Sequence, residues 1–491
     1  MTTDIAFLSL AEAAGRLRSG SLPPAALVEA CLQRIDDFDG ALSAWLHIDR
    51  EGAFAAAHPS ARVLKQSENQ SPLRGIPVGV KDLFDVAAMP TTWNSRLPQP
   101  AVASRDAEVV SRWRASGAVL LGKLAAWECG VGGASLTLPW PPARNPWALD
   151  RDPGGSSTGS AVAVAAGMCF GAIGSDTGGS VREPASWCGV VGLKPTFGLV
   201  SGAGGLAASL NFDHVGPMAR SSEDCAHLLD AMTSGVGAAE TISAGVQGLR
   251  VGAADLTGEE QLDLDREVAH AVEAAAEGLG SAGARLARVR LPRLEIFNAV
   301  VAVAAAAEGY ALHRNRLATS SHLYDPLTRR RLLAGARIQA SDYIDALRMR
   351  ENLRQAVAKI FADQDLLLMP TTRTTAPALG GFDSHGGHPS LCRPWNVTGY
   401  PALCTPCGFS RAGLPLAVQI VARPNEDAIA LRAGHALERR LGPRKRPPDP
   451  DPSLLAQLTF VTETDEEAAM ERLALVTARA ASLLQSTAAF Q

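Results

Sequence analysis

The sequence predicts an α/β fold with a largely parallel sheet. Two observations point there. Segments with helical spacing alternate with short apolar runs, as in "DAEVVSRWRASGAVLLGKL" and "REVAHAVEAAAEGLGSAGARLARVRLP", each reading as helix, Gly stop and strand. The 491 residues are 46% hydrophobic and 20% charged, values of a globular chain able to bury a large core.

The elements follow in order. "LSLAEAAGRLRSG" has helical spacing and ends in Gly, and "LPPAALVEACLQRIDDFD" begins a second helix with Pro. "GIPVGVKDLFDV" reads as a strand and a turn. "GSAVAVAAGMCFGAIGSD" is a small-residue helix feeding a short strand, "SEDCAHLLDAM" a helix and "GLRVGAADL" a strand. Helix dominates from Leu294 to Phe361, and "QDLLLMPTT" and "LPLAVQIVAR" return as buried strands. "GPRKRPPDPDPSL" then breaks structure, and "TDEEAAMERLALVTARAASLLQS" is an amphipathic helix with acids at its start, where they suit the dipole. That helix could dock on its own domain or on a neighbour. The organisation expected is 1–65 as N-terminal helices packing on the core, 66–442 as the main domain, and 443–491 as a Pro-rich linker and helical tail.

Bulk properties exclude several classes. A net charge of −4 argues against a nucleic-acid partner. The basic run from Gly442 to Pro448 is short and reads as a solvated turn. The N-terminus lacks a secretory pattern, and Gly154 to Ser175 is too interrupted by Gly and Ser for a membrane span. Eight cysteines without regular spacing suggest reduced thiols and a cytoplasmic protein. Cys404 and Cys407 form a lone C-x-x-C and read as buried small side chains. His385 and His388 sit in a Gly-rich loop with no third ligand nearby, so no metal site is expected.

A hydroxyl nucleophile needs a base, and its anionic intermediate needs hydrogen-bond donors. Two Gly/Ser runs suit both needs: "DPGGSSTGS", with Ser156, Ser157 and Ser160, and "SDTGGSVR", with Ser180. Gly155 to Gly159 also fits the G-x-S-x-G elbow of α/β-hydrolases. That reading needs a preceding strand, which "NPWALDRDP" is not, and a later His, for which His214 is the best placed. A neutral lysine is the other base. Lys81 ends an apolar strand, where burial would depress its pKa, although a surface lysine at a strand end is the plainer reading of the residues alone.

The block from Leu73 to Thr196 resembles the amidase signature family. The matching pieces are "LRGIPVGVKDLFDV", "GAVLLGKL", "NPWALDRDPGGSSTGSAVAVAAG" and "GSDTGGSVREPASWCGVVGLKPT", with "FDHVGPMARS", "DLLLMPTT" and "WNVTGYPALCTPCGFSRAGLPLAVQIVARP" following. The resemblance implies a single domain built on a large, twisted, mixed but mostly parallel sheet with helices on both faces. It implies a nucleophile at Ser180, a bridging Ser156, a base at Lys81 and a cis peptide bond between Gly155 and Ser156. It places an oxyanion hole at the backbone N–H groups of Thr177, Gly178, Gly179 and Ser180. Ser157, Asp176 and Arg182 would support the loop.

The chain departs from the family pattern at "GKLAAWECGVGG". Leu124 and Ala125 replace a usual Thr-Asn pair, Cys129 replaces a usual Phe, and Trp127 adds bulk. Trp127, Cys129, Gly130 and Trp395 are the expected pocket residues, giving an apolar pocket for an aryl or long alkyl group; core packing is the alternative for each substitution. The activity implied is an amidase for small aryl or alkyl amides, with esters and carbamates (urethanes) sharing the acyl-enzyme route and no cofactor required. Two alternatives stand. One is an allophanate or biuret-type hydrolase, which needs an Arg pocket. The other is the glutaminase subunit of a tRNA-dependent amidotransferase, which needs protein partners. The partner expected is a small-molecule amide or carbamate, with no nucleic acid and no membrane; a homodimer is compatible with the sequence.

Overall fold

Eleven strands make one sheet in this computed structural model, which describes residues 5–64, 71–98, 102–233, 235–257, 262–380, 390–442, 445–457 and 466–488. The strands are β1 (Trp45–Ile48), β2 (Pro77–Lys81), β3 (Val119–Leu124), β4 (Gly171–Asp176), β5 (Val191–Lys194), β6 (His214–Ala219), β7 (Arg250–Ala254), β8 (Arg285–Val289), β9 (Leu366–Pro370), β10 (Ala402–Phe409) and β11 (Pro415–Ala422). Their spatial order is β1-β3-β2-β4-β6-β5-β10-β11-β9-β7-β8.

The sheet is mixed, as expected, but it is not mostly parallel. The pairs β3–β2, β2–β4, β9–β7 and β7–β8 are parallel. The pairs β1–β3, β4–β6, β6–β5, β5–β10, β10–β11 and β11–β9 are antiparallel. Two causes account for the difference. β10 and β11 are joined by the short turn "SRAGL", which reaches only an antiparallel neighbour. β6 inserts between β4 and β5 and runs against both, a long-range pairing that the local helix–strand alternation does not encode. β2, β3, β5, β6, β9 and β11 are buried at every residue, so both sheet faces are covered.

The helices that bear on the site are α1 (Leu10–Arg18), α2 (Pro24–Leu42), α3 (Thr158–Ala165), α4 (Arg182–Cys188), α5 (Leu294–Ser320), α6 (Pro326–Ala334), α7 (Ala340–Asp363), α8 (Arg393–Thr398) and α9 (Glu466–Ala488). Ser9 caps α1, its side chain accepting from the N–H of Glu12. The α1 end is pinned to the core where the Leu10 N–H donates to Asp224 Oδ1 at 2.8 Å. α5, with its continuation to Leu323, is the one helix among the described residues with the length and apolar composition of a membrane span. It lies inside the protein, with Phe297, Val300 and Val303 fully buried.

The basic run is more than a solvated turn. Lys445 stacks 4.9 Å from the Phe409 ring centre and Arg446 4.5 Å from that of Phe7. Asp449 pairs with Arg34 of α2 at 2.8 Å, fastening the linker to the N-terminal helices. His385 and His388 lie outside the described residues. Cys404 and Cys407 are buried on β10, and all eight cysteines are buried thiols outside any disulfide.

Candidate active site

β2 and β4 are parallel neighbours, so they end at the same edge of the sheet. Lys81 closes β2 and Asp176 closes β4. The ends of parallel strands are where α/β sheets carry their chemistry. α3 begins just beyond the Gly/Ser run holding Ser156 and Ser157.

Lys81 is fully buried. Its Nζ donates to Ser156 Oγ at 2.7 Å, Ser157 Oγ at 2.9 Å and Ser175 Oγ at 2.9 Å. Burial lowers its pKa to about 7; the charges of Asp213 and Asp176 oppose that shift without cancelling it. Ser157 is thus a direct partner of Lys81, and it also donates to the Ser175 carbonyl at 3.2 Å. The peptide bond between Gly155 and Ser156 is cis. Gly155 packs beneath the Trp127 indole so closely that a Cβ there would stand 2.1 Å from Cε2. The Ser157 N–H donates to the Ser180 carbonyl at 3.2 Å, tying the two serine loops together.

The loop after β4 wraps around the Asp176 carboxylate. Gly179 N–H donates to Oδ1 at 2.8 Å and Val181 N–H to Oδ2 at 3.1 Å. This corrects one expectation: the Gly179 N–H faces Asp176, because the carboxylate organises the turn. The N–H groups of Thr177, Gly178 and Ser180 remain as candidate oxyanion donors. Gly179 has φ +131°, and a Cβ there would meet Cys392 Cβ at 2.9 Å, so the turn requires glycine.

Arg182 is fully buried and bidentate to Asp176, with Nη2–Oδ1 at 2.9 Å and Nε–Oδ2 at 3.0 Å. It also donates to the Cys392 carbonyl at 2.8 Å, Gln419 Oε1 at 3.2 Å and Asn396 Oδ1 at 2.7 Å. Burial alone would raise the Asp176 carboxyl; the Arg182 guanidinium overrides it and holds that carboxyl well below the usual range. Thr177 is braced by Asp213, which accepts from Thr177 Oγ1 at 2.5 Å and from Ala208 N–H at 2.7 Å. Thr177→Val is therefore expected to lower stability by about 1–2 kcal/mol, since Asp213 keeps its place with one donor fewer. An unchanged urea midpoint would show that this brace does not hold the loop.

Thr177, Gly178, Gly179 and Ser180 line a cavity of about 540 Å³, together with Trp127 and Gly130. Lys81 and Ser156 lie behind that surface, buried. Two expected pocket residues do not reach it. Cys129 is fully buried at a turn with φ +52°, where its N–H bonds to the Trp93 carbonyl at 2.9 Å. Trp395 is fully buried on α8, in an apolar cluster with Phe212 and Phe297. His214, the histidine of the elbow reading, is buried on β6 with Nδ1 2.7 Å from the Phe212 carbonyl. No strand precedes Gly155 directly.

Sequence reasoning missed Ser175, Asp213 and Asn396, and also the charged cavity wall. Glu183 faces the cavity, its carboxyl pushed up to about 8 by burial and by nearby Asp152. Arg331 and Arg393 line it too, and burial with the neighbouring Arg331 lowers Arg393 to about 10. The signals were there in the matching pieces, "GSDTGGSVREP" for Ser175 and Glu183, "FDHVGPM" for Asp213 and "WNVTGYP" for Asn396; the two arginines sit in segments with no motif.

Comparison with known proteins identifies the family. A family described as Amidase matches residues 26–431. A glutamyl-tRNA(Gln) amidotransferase subunit from Anaeromyxobacter dehalogenans is 36% identical, over 90% of this chain and 98% of that one. A structure solved for a vestigial protein complex, which bears on the origins of an s-triazine catabolic enzyme, superposes with a TM-score of 0.83 at 34% identity, covering 89% of this chain and all of the other. A solved structure described as an amidase gives a TM-score of 0.81, also at 34% identity and with the same coverage. The match spans the lysine-bearing strand, both serine loops and all eleven strands of the sheet, so the chain belongs to the amidase family and is an amidohydrolase acting on C–N bonds.

Proposed function

We propose that the protein hydrolyses small aryl or alkyl amides, and related esters and carbamates, through an acyl-enzyme on Ser180. The observation that carries this reading is the 2.7 Å bond from buried Lys81 to Ser156, with Ser180 on the cavity surface of the adjoining loop. Neutral Lys81 Nζ takes the Ser156 proton as Ser156 Oγ takes the Ser180 proton. Ser180 Oγ then bonds to the substrate carbonyl carbon, and the oxyanion accepts from N–H groups among Thr177, Gly178 and Ser180. The C–N bond breaks as the proton returns through Ser156 to the leaving nitrogen. Water, deprotonated by the same pair, then releases the acid and restores the Ser180 hydroxyl.

The base must be uncharged, and burial sets its pKa at about 7. Below that value kcat/KM is expected to fall about tenfold per pH unit; above it the rate levels off. A profile flat between about pH 5 and about pH 9 rules out a lysine base.

A second reading, an allophanate or biuret-type hydrolase, has one observation in its favour. Arg331 and Arg393 line the cavity, which suits a substrate carrying a carboxylate. A panel of p-nitroacetanilide, a phenyl carbamate, glutamine and allophanate separates the readings. Turnover of the anilide or carbamate supports the first, and preference for allophanate the second. Turnover of glutamine alone points to an amidotransferase-type role like that of the Anaeromyxobacter relative, which is one subunit of such an enzyme.

A further inference from the structure

The cavity has a wall that the family match does not include. That match ends at residue 431, and the Anaeromyxobacter relative aligns over 98% of its length while a tenth of this chain stays unmatched. α9 nevertheless lines the cavity, through Val476, Arg479, Ala480 and Leu483. α5, packed against α9, presents Ala302, Ala305 and Ala306 to the same cavity. Small residues on α5 leave room, and the larger α9 side chains bound it.

α9 is also anchored. Ala480 and Leu484 are buried in the apolar cluster that holds Phe297 of α5 and Met349 of α7. Gln485 Nε2 donates to Asp342 Oδ1, at the start of α7, at 3.1 Å. One face of α9 thus belongs to the core, while Val476 and Arg479 stay exposed at the cavity rim. Such a helix fixes the depth of a pocket.

We propose that α9 is a substrate-size filter: Val476 and Leu483 limit the length of the apolar group that extends from the carbonyl held at Ser180. The inference rests on Ser180 being the acylated residue. It places substrate discrimination on the tail, in a position no match to the family would reveal.

The test uses the full-length protein and two serine-directed probes, an ethyl and a decyl fluorophosphonate. The rate of labelling at Ser180 is followed by intact mass and peptide mapping, and the decyl-to-ethyl rate ratio is the readout. Leu483→Ala, which widens the pocket, is expected to raise that ratio about tenfold, and Val476→Trp to lower it by a similar factor. Val476 is 38% exposed, so a larger side chain there leaves the core intact. If Ser180 is labelled and both variants keep the wild-type ratio, the filter is overturned and the nucleophile assignment stands. If neither probe labels Ser180 in the wild-type protein, the nucleophile assignment fails and takes the filter with it.

Discussion

Ser180→Ala is expected to lower kcat on an activated anilide by about 10⁴-fold or more, with little change in thermal midpoint. The size follows from the proposed route. Without Oγ there is no acyl-enzyme, and Lys81 and Ser156 have no nucleophile to activate. The background left over would come from the oxyanion donors and binding alone. Stability should hold because the interaction that ties this residue to its neighbour loop is made by its carbonyl, which accepts from Ser157 N–H and is untouched by alanine. Single-turnover mass spectrometry should find the acyl adduct on wild type and none on the variant. A loss below about tenfold would mean that another hydroxyl carries the acyl group.

The second large effect concerns folding. Arg182→Met is expected to destabilise the protein by about 3–5 kcal/mol, read as a drop in the urea midpoint. The substitution leaves Asp176 buried and ionised, its strongest partner gone. It also strips donors from Cys392, Gln419 and Asn396 at once. Replacing Asp176 as well should not rescue the variant, because Gly179 and Val181 N–H would then lose their acceptor. Activity should fall together with stability, since the same carboxylate shapes the Ser180 loop. A destabilisation below about 1 kcal/mol would show that the pair is not what organises the turn.

Much of this site is legible in the chain because its grammar is local. The Gly/Ser runs specify tight backbone at Gly155 and Gly179, and both positions leave no room for a Cβ. Lys81 closes an apolar run, and burial of that strand follows from its composition. What escaped is what depends on distant segments. Asp213 meets Thr177 because β6 inserts beside β4, and no spacing rule announces that pairing. β5, β6 and β10 read poorly as strands for a related reason: they are short or interrupted by proline, as at Pro217 and at Pro406, where the β10 register slips. The pocket expectation failed at Cys129 and Trp395 because sequence identifies a turn without saying which side faces the substrate.

The brace around Arg182 has a temporal consequence. Lys81, Ser156 and Ser180 are all synthesised within the first 180 residues, yet the groups that clamp Arg182 come from residues 392, 396 and 419. A growing polypeptide therefore carries this lysine and both serines long before the clamp exists. The turn that carries Ser180 is therefore fully braced only once synthesis has passed Gln419.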